Sequence, residues 1–509
     1  MSFLIVDEIS TVDARIIAIL DLRLQQVYNN NLPFGGMPVM FAGDFNQLGP
    51  VHKNFIPTDM MTWARRLRKA GQIQKPPQPT STTQSTSRQR TKDPPKQASA
   101  ATTAKRFIKL RGQMVQRLLS KKAKDKLEKE VNQFKPSSLT YRGCYCLSNF
   151  TRFHLEEQKR SDDPIHGAFV QKLSKGNSIS LEDISSKKPL TRDDITKNPQ
   201  DWKFAPLIVS TNIERLNISR MKAKLWAEEH QTYVFKWRCK VGKQENRPPM
   251  SAMDEIIQHN AFFWQYFVAG APAYLSHNIN GKLALVNGAP VTLHSLTFDD
   301  DEELQRIQNI TQGEHALPVG SVIEVDVPLS VNVSIDASLD GKPVSNRRQL
   351  QLNELKKFSI IKNQIVVPIT TSSASSSKQK HRKYSYKTQN VLNPIATAEV
   401  LEPFPFDLAF SITVHKAQGR TISRVVVDLS SHPTASTQMT FASVFVAMSR
   451  VQNGDHQRLL HHPGSFSRNY NYLTKLKPLD SVMAFYHGFT GNKHEGLQWN
   501  PKTALTYTS

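Results

Sequence analysis

The chain has 509 residues, 39% of them hydrophobic, and its 66 Lys and Arg against 43 Asp and Glu give a formal charge of +23. That length calls for two to four domains, each with its own core. With a mean hydropathy of −0.45 and no apolar run near the ~20 residues a membrane helix needs, no membrane-spanning segment is expected. MSFLIVDEIS carries Asp7 and Glu8 where a secretory signal would be basic. Three cysteines exclude a disulfide framework, and the lone C-x-C of Cys144 and Cys146 has no partner pair for zinc.

In chain order, residues 1–64 read as α/β. FLIVDE is a short apolar strand ending on two carboxylates, and Ile16, Ile17, Leu20 and Leu24 then recur at helical spacing. The break NNNLPFGG leads to a second strand, PVMFAGD. Strands apolar on both faces suit a parallel sheet covered by helices. From Arg65 the composition shifts to Pro, Gln, Ser, Thr and Lys, which cannot bury enough apolar surface to offset its ordering entropy, so 65–130 is expected to be a disordered insert. Between Arg65 and Lys135, 20 Lys and Arg face only Asp93, Asp125, Glu128 and Glu130, so this tract holds 16 of the 23 net positive charges. Such a tract binds phosphates without sequence preference.

Globular signal resumes near Tyr141. Residues 131–200 are expected to complete the first α/β domain, and APLIVSTN opens a second over 201–290 and 396–487. Between them, SVIEVDVPLSVNVSID and NQIVVPIT alternate like strands, which predicts a small β-rich domain inserted at 291–395. Residues 488–509 read as a tail.

The chemistry gathers at strand ends. A carboxylate at the tip of a buried parallel strand projects into the crevice where α/β sheets bind ligands. In nucleotide hydrolases an Asp there holds Mg²⁺ and an adjacent Glu can polarise the attacking water, although an Asp-Glu pair also suits a surface turn. AGDFNQLGPV places Gly43, Asp44 and Gln47 after the neighbouring strand, where a Gln can touch a γ-phosphate or the attacking water.

These two strands resemble motifs II and III of superfamily 1 helicases, and the rest of the chain supplies further motifs in family order. AFSITVHKAQGRT (409–421) resembles motif V, FVAMSR (445–450) resembles motif VI, and LEEQKR (155–160) resembles motif IV. Together with GAPAYLSHNIN and LVNGAPV between 270 and 291, they resemble the Pif-one/RecD-like group of DNA helicases. The resemblance covers residues 1–64, about 150–176, and 203–487. It implies two RecA-like parallel-sheet motor domains, the first incomplete, with the small β-rich domain inserted in the second.

It also implies roles, position by position. Asp7 would bind Mg²⁺ and Glu8 would act as base. Gly43, Asp44, Gln47 and Gly419 would border ATP. Arg450 would be the finger reaching the γ-phosphate from the second domain, and Arg160 a second γ-phosphate contact. Thr211, Asn212, Thr413, His415 and Lys416 would face single-stranded DNA, and duplex junctions would be the working substrate. The activity implied is ATP-dependent 5′-to-3′ unwinding in DNA repair, recombination or telomere maintenance, by a monomer in the nucleus, with the mitochondrion as the other compartment. Two departures stand out. Gly49-Pro50 replaces the family's Pro-Pro, and no G-x-x-x-x-G-K-[ST] occurs, since the Gly-Lys pairs at 242, 281 and 341 run on to Gln, Leu and Pro. The 509 residues are therefore expected to bind ATP poorly. Either the gene product is a helicase and this is a truncated reading of it, or the chain is a transposon-derived, non-catalytic DNA-binding remnant.

Overall fold

The computed structural model describes residues 3–50, 54–69, 138–155, 157, 159–241, 261–281, 285–336, 359–361, 364–371, 382–387, 395–401, 403–431, 438–460 and 466–507. The chain is mixed α/β with parallel strands and divides into two units. One takes the described residues of 1–158, 172–177 and 477–509, the other those of 159–171 and 178–476. Most of the basic insert, from 70 to 130, lies outside the described residues. Its expected first residues, 65–69, instead close the helix Ile56–Lys69, where Arg66, Arg68 and Lys69 sit in the last turn and complement the negative helix end.

In the first unit, Leu4–Val6 and Val39–Phe41 pair in parallel, Leu4 opposite Val39 and Val6 opposite Phe41. The expectation of two covered faces fails here. Ile5 and Met40 are 49% and 53% exposed, while Ile17, Met60, Met61 and Phe34 are buried. The helix Ala14–Tyr28 starts on Asp13, whose side chain accepts from the Ile16 amide. Helix Leu139–Ser148 presses against it at Gly143, where a Cβ would stand 1.8 Å from the Ala14 carbonyl oxygen. Arg142 adds an ion pair of 2.6 Å to the buried Asp21.

The expected tail is integral to this unit. Helix Asp480–His487 runs into strands Phe489–Thr490 and Leu497–Trp499, and the latter pairs with Thr151–Arg152. Trp499, 5% exposed, stacks on Trp63 with ring centroids 6.0 Å apart. Apolar contact recruits the segment, because Trp63, Phe485 and Trp499 share one core.

The second unit is centred on four parallel strands, ordered Ser411–Thr413, Leu207–Val209, Val425–Val427 and Gln457–Leu459. The first three are buried throughout, as a sheet covered on both sides requires. Residues 178–200, expected in the first domain, belong here. Pro189 bridges to Leu459, and Arg458 pairs with Asp194 at 3.0 Å. The β-rich part also exceeds its expected bounds. Its six-stranded antiparallel sheet runs Ser359–Ile361, Gln364–Ile369, Ser330–Asp336, Pro290–Thr297, Pro272–Leu275, Phe406–Leu408. The outer pair, Phe406 opposite Leu275, comes from outside 291–395 and continues the same core through Trp237, Phe404 and Phe410. Among the described residues, no helix is long and apolar enough to cross a membrane.

Candidate nucleotide and nucleic-acid sites

In the first unit the two strand ends meet at one backbone junction. After Val6, Asp7 is exposed and its Oδ1 accepts from the Glu8 amide at 2.8 Å. Glu8 then takes a left-handed conformation, φ 55° and ψ 44°, which costs a non-glycine residue of order 1 kcal/mol or more. The strain is held by pairing on both sides, with the Ala42 amide donating to Val6 and the Ile9 amide to Ala42, each at 2.9 Å. Gly43 makes this approach possible, since at φ +149° a Cβ there would lie 2.9 Å from the Ile9 nitrogen. Asp7, Glu8 and Gly43, all expected at a nucleotide site, are thus brought together by the parallel register.

Asp44 is placed differently. Its Oδ1 accepts from the Asn46 amide at 2.9 Å and from the Tyr486 hydroxyl at 3.2 Å, and the same hydroxyl accepts from the Phe45 amide at 2.9 Å. Burial pushes the Asp44 carboxyl above its ordinary value while these donors pull it down. Burial likewise keeps the Tyr486 phenol protonated, far above its usual range, so it remains a donor to Asp44. Asp44 therefore fixes the turn that carries Gln47. Buried Gln47 Oε1 has no hydrogen-bond partner, an open acceptor that would cost stability unless filled. Tyr486 had no local signal in the sequence. Its partner Arg152, 4.4 Å over the Tyr486 ring, lies more than 300 positions away.

In the second unit the sheet brings two of the expected DNA-facing segments side by side. Thr211 caps the helix Asn212–Glu229 in a reciprocal capping box with Glu214, and Asn212 is exposed in its first turn. Beside it, the chain leaves Ser411–Thr413 into the short turn Val414–Ala417. Thr413, expected on the DNA-facing surface, is instead 7% exposed as the last residue of a covered strand. The surface there belongs to exposed His415 and half-buried Lys416, and Gly419 follows at φ +75°. Lys416 Nζ is 2.5 Å from Asp407 Oδ2, whose Oδ1 holds Arg215 at 2.9 Å. Neither Asp407 nor Arg215 stood out in the sequence.

Arg450 is 1% exposed rather than projecting. Its Nε donates to Val446 O at 2.7 Å and its Nη2 to Ser449 Oγ at 2.6 Å. Longer contacts of 3.5 and 3.4 Å reach the carbonyls of Ala417 and Arg420. The guanidinium caps helix Phe441–Met448 and ties it to the turn after Lys416. Arg160 reaches the same place, its Nη1 donating to Ser449 O at 3.1 Å. The two arginines expected at a γ-phosphate thus converge on one residue, Ser449.

Residues 1–65 match the family model of PIF1-like helicases. The resemblance seen in the motifs is borne out on that segment. Over 51 residues the chain is 47% identical to the ATP-dependent DNA helicase PIF1 of Saccharomyces cerevisiae (strain YJM789). That match covers 10% of this chain and 6% of the yeast protein, so the chain spans a small part of that relative. Among solved structures, Bacteroides Pif1 bound to ssDNA is 14% identical, covering 98% of this chain and 78% of that one, with a TM-score of 0.48. The Candida albicans Pif1 helicase is 16% identical, covering 95% and 76%, with a TM-score of 0.43.

Proposed function

We propose that the chain forms part of an ATP-dependent DNA helicase of the Pif1 kind, moving 5′ to 3′ on single-stranded DNA and opening duplex junctions in genome maintenance. The observation that carries this reading is the junction of the two strand ends. Strained Glu8 rests on Gly43 within the segment that matches the family model. Strain held at such a place is a mark of function. The residues fit a Mg²⁺–nucleotide: Asp7 is open to a hydrated cation, and the unfilled Gln47 Oε1 can accept from a water. Bound Mg²⁺–ATP would supply the phosphoryl transfer whose free energy drives movement. Glu8 would take the proton of the attacking water. Arg160 and Arg450, both bonded to Ser449, would meet transition-state charge. For Arg450 this requires release of its bonds to Val446 and Ser449 as well as the long contacts to Ala417 and Arg420.

A second reading is DNA binding without hydrolysis, which exposed His415 and half-buried Lys416 beside the Asn212 helix start would serve on their own. Two measurements separate the readings. The 509-residue chain is expected to bind fluorescent single-stranded DNA with strong salt dependence, and absence of binding rejects both. The full gene product is then assayed for ATPase with and without DNA. Stimulated turnover that disappears in Glu8→Gln supports the helicase, and binding without turnover supports the second reading.

A further inference from the structure

One buried carboxylate joins the two segments of the second unit expected to meet DNA. Asp407 stands at the edge of the six-stranded sheet, just before the strand Ser411–Thr413, and its side chain is 9% exposed. Each of its oxygens serves a different element. Oδ1 holds Arg215 Nη1 at 2.9 Å, from the first turns of helix Asn212–Glu229, and Oδ2 holds Lys416 Nζ at 2.5 Å, from the turn after the strand. The helix start is tied in further. Arg215 Nε lies 3.4 Å from Asn212 Oδ1, and the Ser411 hydroxyl donates to Arg215 O at 2.9 Å. Arg215 is itself buried, so without Asp407 its charge would stand uncompensated. The Lys416 side chain is 38% exposed, so the residue lies at the surface even though its ammonium is paired. The neighbouring Arg420 is held differently, lying 4.3 Å over the Tyr274 ring in space that a Cβ at Gly288 would close to 2.5 Å.

We propose that Asp407 is a positioning residue for nucleic-acid binding, clamping Lys416 and the Asn212 helix start into one rigid phosphate-facing surface. The inference rests on the DNA-binding reading above. It makes a signed claim, because Asp407→Asn removes a negative charge beside a polyanion's site. If Asp407 merely neutralised its neighbours, the variant would bind DNA more tightly.

The test compares wild type, Asp407→Asn and Lys416→Met for single-stranded DNA affinity across salt, with hydrogen exchange of the amides at 212–216 and 414–420. Asp407→Asn is expected to weaken binding about tenfold and to lower the salt slope by about 0.7, as when one phosphate is no longer neutralised. Exchange should quicken in both segments. Lys416→Met should quicken exchange at 414–420 alone, and adding Asp407→Asn should weaken binding further, by the share of the Asn212 helix start that Asp407 holds through Arg215. Tighter or unchanged binding by a folded Asp407→Asn overturns the proposal. So does unchanged exchange at 414–420 in Lys416→Met, which needs neither DNA nor a stable Asp407 variant. A wild-type chain that binds no DNA while the exchange shifts appear refutes the DNA reading and the positioning role built on it, leaving only a structural clamp.

Discussion

Arg450→Ala tests whether the residue closing FVAMSR is a structural hub. Truncation removes a fully buried guanidinium with short bonds to Val446 O at 2.7 Å and Ser449 Oγ at 2.6 Å. The contacts to Ala417 and Arg420 are long, at 3.5 and 3.4 Å, and contribute little. A hydrogen bond from a charged donor contributes ~1.5–3 kcal/mol. Val446 O keeps part of its pairing through the Ser449 amide at 3.3 Å. Two bonds, discounted for that sharing and increased by the cavity left behind, give a loss of about 3 kcal/mol. In a unit this large that lowers Tm by on the order of 5 °C. Urea unfolding of the 509-residue chain, read by tryptophan fluorescence, measures it, with Arg450→Lys expected in between. An exposed helix arginine would cost no more than ~0.5 kcal/mol. A loss that small for Arg450→Ala would refute the hub, and with it the cap that the guanidinium places on the 441–448 helix through Val446 and Ser449.

Three further outcomes are expected. Asp59 is 3% exposed, its Oδ2 has no partner, and burial with the nearby Asp13 raises its pKa from 3.8 to about 7. The unfolded chain then loses this proton at lower pH than the folded one, so stability should fall as pH rises from about 4 to 7. Asp59→Asn should flatten that fall by up to ~4 kcal/mol, and a variant with the wild-type pH profile of urea midpoints would refute the assignment. Glu8→Gly relieves a left-handed residue and should stabilise the first unit by about 1 kcal/mol while abolishing any DNA-stimulated ATPase of the full gene product. A destabilised variant would show that Glu8 is not strained. Trp499→Ala removes a ring stacked on Trp63 and the bond from Nε1 to Phe485 O at 3.1 Å. It should cost about 3–5 kcal/mol by urea unfolding, whereas a mere tail would cost nothing.

What the sequence showed and what it hid differ in range. The strand ends were legible because their chemistry is local. FLIVDE and PVMFAGD each carry an apolar run and its carboxylate within a few residues, and parallel pairing then brings Glu8 to Gly43. Apart from 65–69, which simply end a local helix, the differing boundaries arise from contacts that no local period records. Strand Phe406–Leu408 extends the antiparallel sheet through a partner about 130 positions back, and Asp194 is claimed by Arg458 from a still greater separation. Strands as short as Phe489–Thr490 and Leu497–Trp499 are too brief to show alternation, so only the buried Trp499 could have betrayed the last segment. The side chains missed within the candidate sites follow the same rule. Tyr486 fixes the Asp44 turn from the far end of the chain, and Asp407 reaches back to Arg215. In both cases a residue outside the motif holds a motif residue in place, Tyr486 from 442 positions away and Asp407 from nine. Motif reading therefore finds candidate contacts and misses the groups that position them. Here those groups are a buried phenol and a buried carboxylate, costly to desolvate, retained where they hold a turn or a cation in place.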